Sequence, residues 1–180
     1  MDGAALTTAA TRLCTSASAL TRSRSTWSTK NIAGGACTVT LTDAGQNFRA
    51  EMLEASGLDT TSPLDQTTSA AGTSAAPSSG SITTTTANQL LVCYVGTDGG
   101  NSFTAGSGWT LQQANSDVAI QIETQIVSSI GTYAGTMSIT SAGYAARVAS
   151  FKATASASLT DDDAGWMPQP WQPDTTVSVW

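Results

Sequence analysis

Histidine is missing altogether, which excludes the usual forms of Ser-His-Asp and Cys-His catalysis, where an imidazole moves the proton near neutral pH. Zinc also loses its commonest nitrogen ligand. The three cysteines, Cys14, Cys37 and Cys93, cannot all pair within one chain and form no Cys-x-x-Cys, so neither a disulfide framework nor a metal cluster is indicated. Charge is scarce: 11% of residues are Asp, Glu, Lys or Arg, against about a quarter in an average soluble domain. No apolar run is long enough to span a membrane, and no apolar stretch of signal-peptide type follows Met1-Asp2-Gly3.

What fills the space is Ser, Thr, Ala and Gly, the composition of a β-rich chain. At 180 residues and 40% hydrophobic content the sequence fits one domain with ragged ends. Four cations, Arg12, Arg22, Arg24 and Lys30, against Asp2 give the first thirty residues a net +3, leaving −9 on the remainder of a chain that totals −6. That acidic body has only Arg49, Arg147 and Lys152 for cations, which excludes the basic stripe of a nucleic-acid binder.

The stretch LLVCYVGTDGGNSFTAGSGW, residues 90–109, runs an apolar strand into glycines in the manner of a phosphate-binding loop. It lacks the Gly-Lys-Ser/Thr ending, and Trp109, Thr110 and Leu111 favour a strand where a phosphate site needs a helix N-terminus. The glycines are expected to be inter-strand turns.

Residues 1–26 show no sustained period and read as an irregular basic leader. From Trp27 onward the signals are those of strands. ACTVTLT at 36–42 alternates Cys37, Val39 and Leu41 with threonines. Residues 57–80, with Pro63 and Pro77 and little apolar content, read as a long excursion. Strands are expected at 81–86, 89–96, 109–113, 117–127, 135–140 and 144–153. In DVAIQIETQIV, Ile120, Ile122 and Ile126 alternate with Ala119, Gln121, Glu123 and Gln125, which predicts one core face and one wet face. Val92, Val148 and Phe151 are expected to join those isoleucines in one core. Short strands at turn-marked intervals make the fold class all-β, an antiparallel β-sandwich spanning 27–153. Residues 154–180 form an acidic tail rich in proline and tryptophan.

Several phrases in order, GLDTTSPLD, a Thr-rich strand leading into ANQLLV, and FTAGSGWTL, together with KNIAGGACTVTLT, ETQIVSSIGTYAGTMSIT and YAARVASFKA, resemble a jelly-roll or lectin-like β-sandwich module of bacterial surface and bacteriophage-associated proteins. The resemblance covers residues 27–153, in a version shortened at the N-terminus. It implies a non-catalytic part of a larger assembly. It also bears on NFRAEMLEAS at 47–56, where helix formers and a capping-box-like start favour a helix locally but the resemblance implies a strand.

The carboxylate pairs to weigh for glycoside hydrolysis are Glu51 with Glu54, which a strand would point to opposite faces, and Asp98 with Glu123. Solvated carboxylates are the simpler reading of both. Asp161-Asp162-Asp163 lacks the spaced oxygens and turn glycine of a calcium loop and reads as a hydrated linker, and Thr83–Thr86 is too short for a flat threonine array. No catalytic residue, metal or cofactor is expected. Two functions follow. One is a structural or assembly protein of a phage-like virion, in its capsid or tail surface, whose partners are other protein subunits and whose contacts are Trp166, Met167, Trp171, Val177, Val179 and Trp180 in the tail. The other is a carbohydrate-binding module at a cell surface or outside the cell, exported without a visible signal peptide, with Trp109, Asp98 and Asn101 on the glycan.

Overall fold

The computed structural model describes residues 10–18, 24–32, 48–113 and 118–154. Among them there is no helix. Ten strands run in chain order: β1 (Ala10–Ser18), β2 (Arg24–Ile32), β3 (Phe48–Ala55), β4 (Leu64–Ser74), β5 (Ser78–Thr83), β6 (Gln89–Asn101), β7 (Thr110–Leu111), β8 (Val118–Val127), β9 (Thr132–Thr136) and β10 (Ala142–Lys152). They form a five-stranded sheet in the order β4-β10-β6-β8-β7, a two-stranded sheet β5-β9 and a three-stranded sheet β2-β1-β3, with every pairing antiparallel. The fold is an all-β sandwich, as the sequence predicts.

The five-stranded sheet is covered on both faces. Leu91, Cys93 and Val95 of β6 meet Met137, Ile139, Ile82, Trp109 and Val148 on the side of the β5-β9 sheet. Leu90 and Val92 meet Phe151, Ile122, Ala55 and Leu58 on the side of β3. This explains why β6 has no alternation: from Gln89 to Thr97 every residue is buried, the pattern of a central strand with two apolar neighbours in the layers above and below. The expected single core is therefore two. Val148 lies in the first cluster and Val92, Ile122 and Phe151 in the second, with Ile126 packed beside them, while Ile120 packs with Tyr94.

Three further expectations are corrected. The leader is not irregular throughout, since Ala10–Ser18 pairs with both β2 and β3. The excursion at 57–80 contains the eleven-residue strand β4 and the start of β5; its threonines, serines and alanines conceal it because an edge strand need not be apolar. The strand β6 runs through Gly99 and Gly100 to Asn101 with a register irregularity, where turns were expected; the turn comes later, at Gly106-Ser107-Gly108-Trp109. There the Trp109 N–H bonds the Gly106 carbonyl at 3.1 Å, and Gly108 takes φ 80°, a conformation that favours glycine.

Within 47–56, Phe48–Ala55 is a strand, the outcome the resemblance implied against local propensity, since β3 pairs along its whole length with β1 and turns Leu53 and Ala55 onto the second core. The GLDTTSPLD phrase is a buckle. Asp59 Oδ1 accepts the N–H groups of Thr61 and Ser62, both at 2.8 Å, while backbone bonds from Asp59 to Lys152 and from Lys152 to Pro63 tie the segment to the end of β10. The strand expected at 36–42, the acidic triplet at 161–163 and the whole tail fall outside the described residues.

Candidate functional site

On β8, Glu123 stands directly opposite Cys93 of β6, and both side chains point toward β9. Here the predicted wet face turns out to be interior at its centre: Gln121 and Glu123 are both buried, Glu123 completely. The loop 102–109 and strand β9 close over this face. The carboxylate satisfies their backbone, with Oε2 accepting the Gly106 N–H at 2.9 Å and Oε1 accepting the Thr136 N–H at 3.0 Å. Gln121 does the same nearby, donating to the Gln113 carbonyl at 2.6 Å. Polar side chains on this face are thus the hydrogen-bond partners of backbone in the covering loop and in β9, outside the ladder of the five-stranded sheet.

Desolvation pushes Glu123 up to about 7, against the opposing pull of bonds from Gly106, Thr136 and the Cys93 thiol. The thiol in turn is driven well above its ordinary value by burial and by the neighbouring carboxylate, which makes it inert as a nucleophile. Burial likewise pushes Glu51 up to about 7. The consequence for stability is unusual in sign. A carboxyl whose folded pKa is raised binds its proton more tightly when folded, so its contribution is fully present below about 4.5 and is lost as pH rises to about 7. The midpoint of urea unfolding is therefore expected to fall between pH 4.5 and 7.5. In Glu123→Gln the fall should be visibly shallower, because one of its two sources is gone; an unchanged slope in that variant would contradict the assignment.

The structure does not assemble either carboxylate pair. Glu123 is opposite Cys93, whereas Asp98 is five residues further along β6, roughly 16 Å at strand spacing, beyond the separation at which two carboxyls share a glycosidic bond. Glu51 is half-buried and Glu54 exposed on the neighbouring pleat. Among the described residues no group of three or more His, Cys, Asp or Glu is placed to hold a metal ion.

The three predicted ligand contacts separate as well. Trp109 is only 9% exposed and belongs to the first core, so its ring offers no platform for a sugar. Asn101, by contrast, lines a surface cleft of about 470 Å³ with Gly99, Gly100, Ser102, Thr140, Ser141 and Ala142. Asp98 lies beside this cleft, where its carboxylate packs so closely on Gly143 that a Cβ there would come within 2.0 Å of Oδ2. The cleft is the end of β6 facing the β9–β10 connection. Thr140 and Ser141 were not singled out from sequence, and nothing distinguishes them there from other loop hydroxyls.

A second polar cluster fixes the start of β4. Asp65 accepts the Thr85 N–H at 2.8 Å, the Thr85 hydroxyl, and the Gln89 amide at 2.6 Å. Partial burial disfavours its charge, but these bonds and the charge of Lys152 together hold Asp65 below the usual carboxylate range. Comparison with known protein families, curated proteins and solved structures finds no match. The function must be argued from the geometry alone. Among the described residues that geometry offers carboxylates committed to backbone, a buried thiol, a small hydroxyl-lined cleft and, in β4, a long strand edge paired on one side only.

Proposed function

We propose that this chain is a non-catalytic structural module that works through protein–protein contacts, in the setting its phrases resemble, the capsid or tail surface of a phage-like particle. The observation that carries the reading is β4. Eleven residues long, it is the edge of the five-stranded sheet, has no fully buried residue, and pairs only with β10 among the described residues. Such an edge is a ready template for another strand. The tail offers apolar groups in need of cover: Trp166, Met167, Trp171, Val177, Val179 and Trp180, with Pro168, Pro170 and Pro173 favouring an extended backbone. Deleting residues 158–180 is expected to leave a soluble β domain that no longer assembles, read by circular dichroism and light scattering. An intact chain that is a stable monomer, and that unfolds on truncation, would place the tail in the core instead.

The second reading is favoured by the cleft at residues 99–102, which Ser102, Thr140 and Ser141 line beside Asn101, itself only 8% exposed, so that hydroxyls are the groups on offer to a polyol. It no longer includes Trp109. Binding on a glycan array that is lost in Asn101→Ala would favour this module over the assembly role.

A further inference from the structure

We infer that the outer edge of β4 receives the segment TTVSVW, residues 175–180, from a second copy of the chain. This rests on the assembly reading and names its contact. Three features single out β4. From residue 66 to residue 74 it carries no charge and no proline, the devices by which sheet edges are protected, and its central side chains, Ser69, Ala70, Ala71, Gly72 and Thr73, are small enough for close approach. Of the other edges in the two larger sheets, β7 already covers Ile122 to Thr124 of β8, and β2 and β3 carry Arg24, Lys30, Arg49, Glu51 and Glu54. At the near end Leu64 is 46% exposed, apolar surface that an added strand would cover.

The donor is set by where the described chain stops. Thr154 donates to the Gly57 carbonyl at 2.9 Å, and β10 ends beside Leu64, so the described residues end at the start of β4. Residues 155–174 can span roughly 70 Å when extended, about twice the length of β4. Prolines at 168, 170 and 173 favour that extension and supply no N–H donors, so the reach suits a neighbouring subunit better than the adjacent strand. In TTVSVW, Val177 and Val179 share one face and Thr176, Ser178 and Trp180 the other, the alternation that strand addition reads.

The test uses two full-length variants. S69K/A71K places lysines on exposed positions of the β4 edge, and V177P/V179P removes two donors from the tail strand. In sedimentation velocity the wild-type chain should self-associate, and each variant alone should show a dissociation constant raised at least about tenfold. Mixing the two should restore a 1:1 complex, because the first retains a working tail and the second a working edge. Circular dichroism checks that both keep their strands. Should S69K/A71K lose them, excess TTVSVW peptide must dissociate wild-type assemblies, and its failure to do so overturns the inference. Association of S69K/A71K equal to wild type overturns the β4 site and leaves the assembly reading standing. A wild-type chain that stays monomeric at every concentration overturns both.

Discussion

Replacing Glu123 with alanine is expected to destabilise the fold by about 2–6 kcal/mol, measured by urea unfolding at pH 8, above the folded pKa of about 7, where the group is a carboxylate. The estimate follows from two backbone donors, Gly106 N–H and Thr136 N–H, which lose their acceptors inside a closed interface at about 1–3 kcal/mol each. Glutamine should not rescue the site. Its single amide oxygen can serve only one of the two N–H groups, and its NH2 would face the other, donor to donor. A cost for Glu123→Gln close to that of Glu123→Ala is therefore expected, while a silent Glu123→Gln would mean that the carboxylate does not hold both loops.

The second large effect is expected at Gly106. A Cβ on this residue would lie 2.1 Å from the Thr136 carbonyl oxygen and 2.7 Å from Thr136 Oγ1, so Gly106→Ala cannot be accommodated without moving backbone. Overpacking of this kind costs about 1–3 kcal/mol, and displacement of the loop also breaks the bond from Gly106 to Glu123, adding about 1–3 kcal/mol. The two substitutions share that bond. A double-mutant cycle with Glu123→Ala should therefore show non-additivity, the double variant costing less than the sum of the singles. Strict additivity would indicate that Gly106 and Glu123 act independently.

How much of this was legible depended on whether the signal was local. The alternation in β8 and the apolar run in β6 identified two strands of the main sheet, because both patterns follow from side-chain period and burial. The count of layers was not legible. A half-polar strand such as β8 normally has one wet face, and here that face is interior because backbone N–H groups at Gly106 and Thr136, one before the strand and one after it, converge on Glu123. Periodicity carries no record of such a partner. The strand β4 was missed for a different reason: among the described residues its outer side pairs with no strand, and its faces are lined with threonine, serine and alanine, so it lacks the apolar alternation of a strand that packs on a core. Of the candidate ligand residues, Asn101 lines the cleft that the glycines before it shape, whereas Trp109 is drawn into the core by the turn that precedes it.

Amide hydrogen exchange at Gly106 and Thr136 tests most directly whether Glu123 is the structural clasp of this interior face. In the wild-type protein at pH 8, where Glu123 is ionised, both amides should be strongly protected. In Glu123→Gln at least one of them should lose protection by tenfold or more relative to core amides of β6, in line with about 1–3 kcal/mol for a lost buried acceptor. Protection unchanged at both positions would contradict the clasp and free the carboxylate for another role.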